Sequence, residues 1–138
     1  PLLVGDESAV PAITAALAAL PEDAVARVVV LVDSPDDEPE LPVPAKGELV
    51  FVHRSAAGGD DRLLAAVRAL DWPSGRVHVF AHGEAQEIMH QVRPYLFGER
   101  GLDRSQVSVS GYWRRGRTEE GFREWKSELA SREAESTP

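Results

Sequence analysis

Apolar positions along this chain switch repeatedly between short continuous runs and helical spacing. Leu2-Leu3-Val4 reads as a short strand ending at Gly5. Ser8 follows as the expected N-cap of a helix, with Asp6 and Glu7 just ahead of it. Val10, Ile13, Leu17 and Leu20 then recur every three or four residues, which puts them on one helical face. Pro11 is tolerated in that first turn, where no intrahelical acceptor is lost, and Pro21 ends the helix. Arg27 to Val32 is a β-branched run suited to a strand buried on both faces. Residues 33–47 carry prolines at 35, 39, 42 and 44 and five acids, which predicts an exposed loop.

The same alternation continues to the end. Glu48 to His53 is a third strand, and Gly58-Gly59 separate it from a helix capped by Asp60 or Asp61 that turns Leu63, Leu64, Val67 and Leu70 inward. Arg76 to Ala81 is a fourth strand. Gly83-Glu84 then open a helix with Ile88, Val92 and Tyr95 or Leu96 inward, and Pro94 must kink or end it. Gln106 to Ser110 is a fifth strand, and Thr118 caps a last helix carrying Phe122, Trp125 and Leu129.

Five strand and helix alternations within 138 residues imply βαβ crossovers. The expected fold is α/β: a three-layer, doubly wound sheet of five mainly parallel strands with helices on both faces. It fills one domain over 1–130, and 131–138 form an acidic, frayed tail. In such sheets ligands bind at the carboxyl ends of the strands, where the strand order reverses.

Composition narrows the function more than the fold. The net charge of −8 opposes a duplex nucleic-acid partner, and no apolar run is long enough to span a membrane. Cysteine is absent, which removes disulfides and thiolate chemistry. Charge is unevenly spread: residues 1–61 hold twelve acids and three bases, whereas 62–138 hold eleven and twelve. A small anion therefore finds its cations mainly in the second half, with Arg54 the early exception. The chain opens at Pro1 inside a strand, which suggests a piece of a longer polypeptide.

Four strand ends carry candidate chemistry. After the first, Gly5-Asp6-Glu7-Ser8 precedes a helix N-terminus whose free N–H groups suit a pyrophosphate, although a bare helix cap explains it as well. After the third, Arg54 and Ser55 offer a guanidinium fork and a hydroxyl to a phosphate, or simply a solvated surface. After the fourth, Gly83 in His82-Gly83-Glu84 would let a planar ring or ribose approach the backbone. His82 is either a ligand contact or an unligated histidine at a loop edge, and with His78 and His90 it makes no metal-spaced cluster. After the fifth, Tyr112 and Trp113 with Arg114, Arg115 and Arg117 suit ring stacking and anion binding. The bland alternative has the aromatics covering the sheet end while the arginines pair with Glu119, Glu120 and Glu124.

From Leu2 to about Lys126 the chain resembles the carboxyl-terminal domain of siderophore-interacting proteins, flavin-dependent ferric-siderophore reductases of the ferredoxin–NADP reductase superfamily. The segments carrying the resemblance are Gly5-Asp6-Glu7-Ser8-Ala9-Val10-Pro11-Ala12-Ile13, Gly83-Glu84-Ala85 and Ser110-Gly111-Tyr112-Trp113-Arg114-Arg115-Gly116. It implies a domain that binds NADPH or NADH and passes hydride to FAD, which then reduces Fe(III) held by a ferric siderophore and releases iron in the cytoplasm. It also implies an FAD-binding barrel in the same polypeptide, absent from this chain, without which the reaction is not completed. By the same resemblance Gly5 to Ser8 lie near the pyrophosphate or nicotinamide ribose. Arg54 reads the adenosine 2′-phosphate, and Gly83 and Glu84 face the nicotinamide. Arg114, Arg115 and Arg117 bind dinucleotide phosphate or the siderophore. No side chain is expected to act as a catalytic acid or base, because the cofactors carry the electrons. His82 departs from the small residue expected before Gly83.

The rival is a non-enzymatic nucleotide-sensing or protein-interaction module that keeps the fold. In it the acidic stretch 33–40 and the charged last helix would serve a protein partner. A flavodoxin-like FMN domain fits the sheet, but the chain lacks a Ser/Thr-rich phosphate loop after the first strand.

Overall fold

In the computed structural model, which describes residues 1–56, 58–73 and 75–113, five strands form one sheet. They are β1 (Leu2–Asp6), β2 (Arg27–Val32), β3 (Glu48–His53), β4 (Val79–Glu84) and β5 (Val107–Trp113). Their order is β3-β2-β1-β4-β5, and every pairing is parallel. β1 and β2 are buried along almost their whole length, as their apolar runs require, while edge strand β3 is exposed at Glu48 and Val50 and half-buried elsewhere.

Helices cover both faces. On one, α1 (Val10–Ala18) sets Ile13 and Leu17 against Leu3, Val28 and Val30. On the other, α2 (Arg62–Ala69) brings Leu63 and Val67, and α3 (Ala85–Glu87), continued by two π-helical segments, Ile88–Val92 and Tyr95–Glu99, brings Ile88, Val92 and Leu96. The chain thus crosses to one face after β1 and to the other after β3, so the switch point lies between neighbouring strands β1 and β4. The helix expected after Thr118 and the tail 131–138 lie outside the described residues.

Local boundaries differ from the sequence expectations for physical reasons. Ser8 does not cap α1. Asp6 instead caps a short 3-10 turn, Glu7–Ala9, by accepting from the Ser8 amide, and α1 follows without a side-chain cap. Asp61 stands at the α2 N-cap but makes no side-chain cap bond. β4 begins at Val79 rather than Arg76 and ends at Glu84 rather than Ala81, because the ladders to β1 and β5 hold His82, Gly83 and Glu84 extended. Gly83 and Glu84 therefore close a strand instead of opening a helix; Glu84 then caps α3. β5 likewise runs on to Trp113, and Gln106 belongs to the 3-10 turn Arg104–Gln106. A bulge sets Gly111 opposite Gly83 and Trp113 opposite Glu84, leaving Tyr112 as the extra residue. The loop over 33–47 is not wholly solvated, since Leu41 and Val43 pack on the α1-side core. Pro94 does not end the helix: with Arg93 it forms an α-helical step between the two π-helical segments. The wide turn before it, closed by the Arg93 amide on the Ile88 carbonyl, eases the clash a proline makes with the preceding α turn. Among the described residues no helix is long and apolar enough to cross a membrane.

Candidate functional site

The carboxyl ends of the strands are tied together at the switch point by one buried carboxylate. Asp6, 2% exposed, accepts at Oδ1 from the Ser8 amide (2.9 Å) and hydroxyl (2.5 Å). Its Oδ2 accepts from the Glu84 amide (2.8 Å) and the Trp113 indole N–H (3.0 Å). β1, β4 and β5 are thus joined by neutral donors that fully occupy a group otherwise costly to bury. Glu84, also buried, uses Oε2 to accept from the Glu87 amide at 2.9 Å.

Glycines make this close packing possible. A Cβ on Gly83 would lie 2.9 Å from Asp6 Oδ2, and one on Gly5 would lie 2.7 Å from both the Ala9 Cβ and the His82 carbonyl. A Cβ on Gly111 would meet the Ala85 Cβ at 2.9 Å. The space beside Gly83 that the sequence suggested for a ring or ribose is thus filled by the Asp6 carboxylate.

The other half of the strand ends is tied by charge. The Arg54 guanidinium grips Glu7 through both Nη atoms, Nη2 to Oε2 at 3.1 Å, and reaches Asp33 Oδ1 at 2.8 Å. Its turn is zipped to the end of β2 by Arg54 N to Val32 O and Ser55 N to Asp33 O, both 2.9 Å. Burial alone would favour the neutral guanidine. Hydrogen bonds and charge from Glu7 and Asp33 outweigh it and hold the pKa above its ordinary value.

Two adjoining hollows lie over these strand ends. One, of about 470 Å³, is lined by Glu7, Asp33, Arg54, Arg62 and Trp113. The other, of about 420 Å³, reaches between α2 and α3 and takes Leu31, Asp60, Glu84, Gln86, Glu87 and Gln91 along with the same two arginines. Together they form a groove from the end of β5 to the end of β3, of a size that suits a nucleotide.

Of the residues singled out from sequence, Glu7, Arg54, Trp113 and Glu84 border this groove. Asp6, Ser8 and Gly83 lie in the network beneath it. Ser55 is exposed beside Arg54. His82 is turned elsewhere: its ring stacks on Phe80 at 3.8 Å, with Nδ1 2.8 Å from the Tyr112 hydroxyl and Nε2 2.9 Å from the Ser108 hydroxyl. Tyr112 thereby faces the α1-side core and not the groove. Arg114, Arg115 and Arg117 lie outside the described residues. Sequence reasoning passed over Asp33 and Arg62. Asp33 was signalled only by being the first residue after β2, and Arg62 only by opening α2.

Comparison with known proteins supplies the context. A family described as "Siderophore-interacting protein" matches residues 1–116. An uncharacterized protein of Mycobacterium bovis is 52% identical over 143 residues, covering 96% of this chain and 50% of its own. Ferric vibriobactin reductase of Vibrio cholerae is 30% identical over 125 residues, covering 89% and 46%. A siderophore utilization protein from T. fusca superposes with a TM-score of 0.75 at 38% identity, over 85% of this chain and 45% of that one. The chain spans about half the length of the curated relatives it matches. The strand-end segments that suggested the resemblance lie within the matched residues, and the chain belongs to the siderophore-interacting protein family.

Proposed function

We propose that this chain is the nicotinamide-nucleotide-binding half of a ferric-siderophore reductase. The observation that carries the reading is the groove itself, which crosses the carboxyl ends of a parallel sheet at its switch point, with an indole at one end and guanidinium groups at the other. Family membership and a relative that reduces ferric vibriobactin supply the chemical context.

The residues present suit an extended dinucleotide better than an inserted ring, because Asp6, Ala9 and Ala85 fill the spaces beside the glycines. Trp113 would offer a face for the nicotinamide end, and its plane is held by the hydrogen bond to Asp6. Glu7 and the turn at Arg54 would border the rest of the ligand. When bound, the nicotinamide supplies a hydride, destined in this reading for FAD and then for siderophore-held Fe(III). This chain contributes position and electrostatics. In this reading FAD is held by another part of a longer polypeptide, in line with a chain that spans about half the length of its curated relatives.

Titration of the chain with NAD⁺ and NADP⁺, followed by the intrinsic fluorescence of its tryptophans, tests the reading. Saturable binding of at least one nucleotide at or below about 1 mM is expected. No binding of either at that concentration would overturn it.

A further inference from the structure

Two arginines reach the groove, and their surroundings are opposite. Arg54 is spent on Glu7 and Asp33; its side chain is only 20% exposed, against 74% for Asp33. Arg62 donates Nη1 to the main-chain carbonyls of Arg54 (2.8 Å) and His53 (3.3 Å), and no carboxylate pairs with it among the described residues. We propose that Arg62, and not Arg54, is the groove residue that binds a phosphate group of the dinucleotide. The inference rests on the nucleotide reading above and adds the residue that takes the charge.

The two carbonyls fix the guanidinium while using one of its nitrogens, and Nη2 and Nε remain for an anion in the planar fork that phosphate prefers. Arg62 borders both hollows, so a ligand in either one meets it. The hollow between α2 and α3 also holds Asp60, Glu84 and Glu87, which repel phosphate. In the hollow toward Trp113 the carboxylates are Glu7 and Asp33, already neutralised in part by Arg54. The phosphate is therefore placed on the Trp113 side of Arg62. Arg54 is then a brace for the strand ends and not the residue that takes the phosphate.

The test titrates the chain, Arg62→Gln and Arg62→Lys with NAD⁺ and with NADP⁺, below the melting temperature of each variant. Arg62→Gln is expected to weaken binding about tenfold or more, the range for a lost charge-assisted hydrogen bond. Equal losses for both nucleotides place the pyrophosphate at Arg62; a loss confined to NADP⁺ places the 2′-phosphate there. Both outcomes support the inference. Wild-type affinity in Arg62→Gln overturns it. Should that variant not fold, Arg62→Lys decides, since it keeps the charge and a donor for the carbonyls but lacks the fork. A severalfold loss supports the inference and unchanged affinity overturns it. If the unaltered chain binds neither nucleotide, the nucleotide reading itself has failed and this inference falls with it.

Discussion

The strand ends on the two sides of β1 are fastened by different chemistry. Toward β4 and β5 the fastener is Asp6, buried, with four neutral donors from Ser8, Glu84 and Trp113. Toward β2 and β3 it is an ion-pair cluster, Arg54 with Glu7 and Asp33, whose carboxylates stand in solvent. A buried carboxylate with every lone pair used cannot be released without stranding its donors. A rim cluster, by contrast, is weakened by salt at little cost. The stiff side is therefore the one carrying Trp113, and the adaptable side is the one where the two arginines sit.

The contrast can be broken at three points. Asp6→Ala strands the Glu84 amide and the Trp113 indole N–H, and should cost about 2–4 kcal/mol in urea denaturation with no dependence on salt. A cost below about 1 kcal/mol would mean the buried fastener is no stronger than the exposed one. Gly83→Ala pushes a methyl to 2.9 Å from Asp6 Oδ2, and a loss of about 1–3 kcal/mol is expected from the same measurement. Wild-type stability would show that Asp6 can give way. Arg54→Gln should cost least, about 0.5–1 kcal/mol, and the loss should shrink as salt rises. Because the Arg54 pKa is raised, its contribution is present below the unfolded value and fades only as pH climbs through the still higher folded one. The cost of Arg54→Gln should thus be the same at neutral and mildly alkaline pH, and a fall over that range would assign the pairing to other groups.

How far all this could be read from residues alone follows from where the information resides. The β-branched run Arg27 to Val32 and the spacing of Ile13 and Leu17 are local signals, and the strand and helix they predict are present. The ends of β4 and β5 are not local. His82, Gly83 and Glu84 have no strand propensity of their own and are held by ladders to partners far away in the chain. Arg54 was visible as a charged residue after a strand, but its partners Glu7 and Asp33 lie 47 and 21 residues away, so its neutralisation was not. Arg62 was hidden for the opposite reason: it opens a helix, where an arginine is unremarkable until the carbonyls of Arg54 and His53 are seen beneath it.

The wide turns around Pro94 have a geometric consequence for the core. Ile88, Val92 and Leu96 are each completely buried and follow one another at every fourth position. In a plain α-helix each such step overshoots a full turn by about 40°, so the third side chain would be rotated some 80° from the first. The two π-helical segments, with more than four residues per turn, work against that excess, and all three residues remain in the same buried cluster. The proline is thus less an interruption than a gear change, one that lets a four-residue rhythm in the sequence keep facing the core.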